Sequence, residues 1–165
     1  KDEKRIIVLI VVMMVFLVSC KAASSQRLQQ NSGQKLDFSL KDIKGNTVSL
    51  SDFEGQDVIL FFWTTWCPHC QNQLIEFNKK YKDIVASGFQ LVSIDIGESE
   101  DVVRRFVQKN SLAYPVLLDY NNEVSEQYDV SGVPTIVLIS KERAILESSY
   151  RLPSNYKEYF SKNGP

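Results

Sequence analysis

The sequence predicts an α/β domain in which a mixed β-sheet is flanked by helices. Three observations predict it. Val58–Trp63 (VILFFW) is a continuous apolar run, as expected of a central strand covered on both faces. Strand-like and helix-like segments alternate along the chain, which implies parallel pairings. The last two strand-like segments, Pro134–Ile139 and Ile145–Tyr150, lie close together, which implies an antiparallel edge.

The elements follow in order. Strands over Leu36–Leu40 and Thr47–Leu50 flank a turn at Lys44-Gly45-Asn46. A helix over Pro68–Ser87 is stopped by Gly88, and Leu74, Phe77, Tyr81, Ile84 and Val85 recur at steps of three and four as its buried face. Phe89–Ile96 is the next strand. Ser99 is placed to cap a helix whose first turn carries Glu100 and Asp101 and whose end carries Lys109. Pro115–Leu118 reads as a strand and Glu123–Tyr128 as a short helix. Ser154 is placed to cap a last helix carrying Tyr156, Tyr159 and Phe160.

The N-terminal part has a different character. Lys1, Lys4 and Arg5 precede an apolar run from Ile6 to Val18, shorter than the roughly 20 residues that span a bilayer. A basic start followed by a short apolar run is the pattern of a secretory signal peptide. Leu17-Val18-Ser19-Cys20 resembles the lipobox of bacterial lipoproteins, which implies cleavage before Cys20 and lipidation of its thiol. The expected organisation is a signal peptide over 1–19, a Ser- and Gln-rich lipidated tether over 20–35 and a folded domain over 36–165. Nineteen Lys and Arg against twenty Asp and Glu leave a net charge of -1, so nucleic-acid binding has no electrostatic support.

Three cysteines in an exported chain leave an odd one to explain. Lipidation of Cys20 accounts for it and leaves Cys67 and Cys70, spaced Cys-x-x-Cys. Cys67 ends the lead-in from a buried strand and opens a helix. A thiolate attacks disulfides where a thiol does not, and a free Cys titrates near roughly 8.5. Helix N-termini favour the anion through unpaired N–H groups and the helix dipole. Pro68 fits the first helical turn, and Cys70 lies on the same side, within disulfide reach. The expected cycle is attack by Cys67 on a substrate disulfide, then release by Cys70, with the Cys67–Cys70 disulfide as the redox group and no other cofactor. A lone Cys-x-x-Cys is also half of a zinc site, but the single histidine, His69, sits inside the pair and no second cluster exists.

Trp63-Thr64-Thr65-Trp66-Cys67-Pro68-His69-Cys70, with Gly132-Val133-Pro134-Thr135 far downstream, resembles the TlpA/ResA-like branch of the thioredoxin superfamily. Phe38-Ser39-Leu40 through Leu50-Ser51-Asp52-Phe53-Glu54-Gly55 resembles its N-terminal hairpin. Asp95-Ile96-Gly97-Glu98-Ser99 and Tyr114-Pro115-Val116-Leu117-Leu118-Asp119 resemble its central insertion. The resemblance implies a thioredoxin-like fold with an N-terminal β-hairpin and a central βα insertion. It implies an extracytoplasmic, lipid-anchored thiol–disulfide oxidoreductase that reduces disulfides of exported proteins, often in cytochrome c maturation, with electrons from a membrane thiol donor. It also implies that Pro134 is a cis-proline shaping the substrate groove, that the Val133 backbone pairs with substrate, and that Trp66 is exposed beside it. His69, when positive, would favour the Cys67 thiolate, and the Pro68-His69 dipeptide leans towards oxidising relatives.

Two positions depart from family patterns. Phe61 stands where many thioredoxins carry a buried Asp, and Gln73 stands where ResA-like proteins often carry a Glu. The base for Cys70 is therefore open between water, Glu76 and another carboxylate. Two other readings share the fold. A peroxiredoxin would have Pro rather than Leu60 seven residues before the nucleophile, although Thr64 fits. A copper-binding assembly factor would draw on soft thiolates, usually with wider Cys spacing and a remote His.

Overall fold

The computed structural model describes residues 37–162. The predicted signal peptide, the tether and Cys20 lie outside the described residues. Within 37–162 no helix is long and apolar enough to cross a membrane.

Seven strands form one mixed sheet in the order β2-β1-β5-β4-β3-β6-β7. They are β1 (Ser39–Asp42), β2 (Thr47–Ser49), β3 (Asp57–Trp63), β4 (Phe89–Ile96), β5 (Val116–Asp119), β6 (Thr135–Ile139) and β7 (Ile145–Ser149). β3, β4 and β5 run parallel; β6 and β7 add an antiparallel edge beside β3, and the β1–β2 hairpin adds another beside β5. The helices are α1 (Pro68–Ala86), α2 (Glu100–Asn110), α3 (Glu123–Gln127) and α4 (Tyr156–Lys162), with a 3-10 helix at Leu50–Phe53.

Both faces of the sheet are covered, because β3 alternates its apolar side chains between two cores. Ile59, Phe61 and Trp63 point to the side of α1, α2 and α4, together with Leu74, Phe77, Val103 and Phe160. Val58, Leu60 and Phe62 point to the side of the 3-10 helix and α3, with Leu50, Val124 and Tyr128. Every residue of β3 from Val58 to Trp63 is buried, so a polar substitution on either face of this strand would lose its water without a partner.

Four expectations shift. The first strand runs Ser39–Asp42 rather than Leu36–Leu40, because the Asp42 carboxylate organises the turn, accepting from the N–H groups of Lys44 and Asn46, both at 2.8 Å. Val85 does not join the buried face of α1; it is 40% exposed, one residue (about 100° of helix) past Ile84. Ser99 occupies the N-cap of α2, but its side chain makes no cap bond; its carbonyl accepts from Val102 and Val103 instead. Ser154 does not cap the last helix, which starts at Tyr156 with its N–H on the Pro153 carbonyl.

Candidate active site

β3 delivers the chain to the site. It is paired with β4 on one side and β6 on the other, and Phe62 opposes Thr135 in the antiparallel register. That register sets the Val133–Pro134 segment, just before β6, beside the loop that follows β3. The Val133–Pro134 peptide is cis, and the Thr135 hydroxyl donates to the Gly132 carbonyl across the turn at 2.7 Å.

Cys67 is the N-cap of α1. Its backbone is extended, Pro68 fills the first helical turn, and Cys67 Sγ accepts the Cys70 N–H at 3.1 Å. Cys67 and Cys70 form a disulfide with Cα atoms 5.2 Å apart. The two residues differ slightly in exposure: Cys67 is 5% exposed and Cys70 is fully buried. Cys67 Sγ lies 3.8 Å from the Val133 carbonyl oxygen. A sulfur at this position receives unpaired helix N–H groups, which stabilise an anion there once the disulfide is reduced.

The other expected site residues fall around this pair. Trp66 is 70% exposed, while Trp63, four residues from Cys67, is fully buried with its ring 5.3 Å from that of Phe106. Pro68 and His69 are exposed on the first turn of α1. An open groove starts at His69 and Pro134 and runs along α1 past Gln73 and Glu76 towards Tyr150 and Arg151. Glu76 forms an ion pair with Lys80 on the exposed face, at 3.2 Å. Phe61 packs against Phe77 and places no acid behind Cys70.

The residues that hold the loop were not singled out from the sequence. Both Glu98 oxygens accept from Thr65: Oε2 from the N–H at 2.5 Å and Oε1 from the hydroxyl at 2.7 Å. Gln71 donates to the Thr65 carbonyl at 2.8 Å. Asp95, next to the last residue of β4, lies opposite Trp63 on the sheet face that carries the cysteines and is fully buried. Its carboxyl is pushed up to about 9: burial is the main cause, the nearby Glu98 carboxyl (short of hydrogen-bond geometry) and the charge of Asp119 add to it, and the Glu98 backbone N–H opposes it. The signal was present in the sequence: an Asp inside the mostly apolar strand segment LVSIDI must be buried or must break the strand.

The comparisons agree with this geometry. The AhpC/TSA family model matches residues 32–148. A relative named thiol-disulfide oxidoreductase ResA, from Bacillus subtilis, is 36% identical over 110 residues, covering 67% of this chain and 62% of that protein. The sporulation thiol-disulfide oxidoreductase A of the same organism is 30% identical over 139 residues, covering 82% of this chain and 84% of that protein. Among solved structures, the pneumococcal exposed lipoprotein thioredoxin of Streptococcus pneumoniae superposes with a TM-score of 0.67 at 25% identity, covering 74% of this chain and 99% of that one. The chain therefore belongs to the AhpC/TSA family and is a ResA-like thiol–disulfide oxidoreductase of thioredoxin fold.

Proposed function

We propose that the protein reduces disulfides of exported proteins outside the cytoplasm, with Cys67 as nucleophile and Cys70 as resolving thiol. The observation that carries this reading is a Cys67–Cys70 disulfide at a helix N-terminus, in which the N-cap Cys67 is slightly exposed and Cys70 is wholly buried. In the reduced enzyme the Cys67 thiolate attacks a substrate sulfur. The substrate S–S bond breaks, a mixed disulfide forms, and one substrate sulfur leaves as a thiolate that takes a proton. Cys70 then loses its proton and attacks Cys67 Sγ, and the second substrate thiol leaves. Two electrons pass to the substrate, and a membrane thiol donor returns them.

Trp66, exposed beside the pair, offers an apolar face to the substrate, and the Val133 carbonyl next to Pro134 offers a backbone partner for an extended segment. Pro68 and His69 tune the thiolate from the first turn of α1. The basic start, apolar run and lipobox-like ending at Cys20 support export and a lipid anchor, followed by the tether over 20–35 and the domain over 36–165. A role in cytochrome c maturation belongs to the same reading through the resemblance to ResA.

The test is insulin reduction by the domain in the presence of dithiothreitol. Wild type is expected to accelerate precipitation of the insulin B chain, and Cys67→Ser to abolish it; retained activity in Cys67→Ser would sink the mechanism. Redox titration against glutathione fixes the direction: a potential near roughly -270 mV marks a reductase and one near roughly -120 mV an oxidant.

A further inference from the structure

We infer that Glu98 is a positioning residue for disulfide exchange: its carboxylate, with the buried Asp95 beside it, holds the loop that carries Trp66 and Cys67. The inference rests on the reading that Cys67 is the attacking thiol.

The bonding pattern identifies the acceptor. Both Glu98 oxygens take hydrogens from Thr65, one from its amide and one from its hydroxyl. A carboxylate can accept at both oxygens at once, and hydrogen bonds to a carboxylate are the short, strong kind. Gln71 grips the remaining polar atom of the same residue, its carbonyl, from α1. Thr65 is thus tied to the β4–α2 loop and to α1 at once. Trp66 and Cys67 follow it directly, so the direction in which the indole and the sulfur face the groove depends on this clip. The clip lies 33 residues away in sequence and touches neither sulfur.

Asp95 supplies the second half. It is fully buried, and neither of its oxygens finds a hydrogen bond. An ionised carboxylate in that place would be unpaired and would face a second anion at Glu98 and a third at Asp119. Burial and the two neighbouring acids thus favour the neutral form of Asp95. The charged groups that act on Asp95 are Glu98 and Asp119. From β3 the neighbour is the neutral Trp63. Around Cys67 itself the titratable groups are His69 in the same first turn and Glu98 beyond Thr65, while the residue before Pro134 presents the neutral Val133 carbonyl.

The test compares the wild-type domain with Glu98→Ala, Glu98→Gln and Thr65→Val. Two readouts are used: insulin-reduction kinetics and the pH profile of iodoacetamide alkylation of reduced Cys67. Glu98→Ala is expected to lower kcat/KM about tenfold. Glu98→Gln, which keeps one acceptor, is expected to restore part of that loss. Its alkylation midpoint is expected to fall below that of wild type, because a fixed negative charge close to Cys67 is gone. Thr65→Val, which loses only the hydroxyl arm, is expected to fall between wild type and Glu98→Ala. Folded Glu98 variants with wild-type kinetics and midpoint would overturn the inference, as would variants whose only change is a lower melting temperature. If Glu98→Ala does not fold, Glu98→Gln and Thr65→Val decide the question alone. Failure of wild type to reduce insulin would instead strike the proposed reductase function, and the alkylation profile would still report on the clip.

Discussion

Phe61 packs its ring against Phe77, in the third turn of α1, with centroids 5.1 Å apart. Both rings are buried to within 1% of full enclosure. The position that often carries a buried acid in thioredoxins is thus used here to seat the active-site helix on the sheet. Removing the ring leaves a cavity that the packed neighbours cannot close. Phe61→Ala is expected to cost about 3–5 kcal/mol of stability, read from urea unfolding. A cost below about 1 kcal/mol would mean that the ring does not seat the helix.

The pattern of residues made some of this legible and hid the rest. β3 announced itself, because a strand buried on both faces has no polar position to blur it. The cysteine pair was legible for a different reason: its chemistry requires a helix N-terminus, and Pro68 marks one. Glu98 was not legible. Its role depends on the β3–β4 register, which brings Trp63 opposite Asp95 and so sets the loop after each strand side by side. A contact across 33 residues of sequence leaves no periodic trace. Val85 misled because it satisfies the helical spacing, yet sits at the rim of the helix, where the sheet no longer covers it.

Asp95 gives the fold a pH dependence of unusual sign for a carboxyl group. Folding lifts its affinity for a proton, from an ordinary 3.8 to about 9. Between these values the folded state holds a proton that the unfolded chain has released. The stability tied to this group is therefore complete below 3.8 and is lost as pH rises through about 9. Asn carries no such proton. The stability of Asp95→Asn relative to wild type is expected to rise steadily between about pH 4 and pH 9 and to level off above, measured by urea unfolding across that range. A difference independent of pH would show that Asp95 is ionised inside the fold.

Gly97 makes room for the turn that carries Glu98. Its φ is +72°, and a Cβ there would stand 3.0 Å from the Asn122 side-chain oxygen. Gly97→Ala therefore meets two costs, a left-handed backbone of about 1–2 kcal/mol and a steric contact. Adding Asn122→Gly removes the contact but leaves the backbone cost, so the double variant is expected to recover only part of the loss in thermal unfolding. Full recovery would mean that the contact alone matters.

Trp66 is 70% exposed, so its indole contributes little to the core. Trp66→Ala is expected to change stability by no more than about 0.5 kcal/mol. Its effect should appear as a raised KM for a protein disulfide, with the rate on a small aromatic disulfide unchanged, because only the larger substrate reaches the exposed ring. Equal losses on both substrates would assign Trp66 to the thiol chemistry instead.

The burial of Cys70 makes the order of attack testable. A residue with no exposed surface is poorly placed to meet a protein disulfide first, whereas Cys67, 5% exposed at the helix N-terminus, is better placed. Cys70→Ser keeps the attacking thiol and removes the one that releases the substrate. The mixed disulfide with Cys67 then has no internal route to resolution and is expected to accumulate, visible as a covalent complex by mass spectrometry without reductant. Cys67→Ser is expected to yield no complex, since the remaining thiol lies behind the helix turn. A complex formed through Cys70 in that variant would require α1 to open before exchange, and the roles assigned to the two sulfurs would have to be reversed.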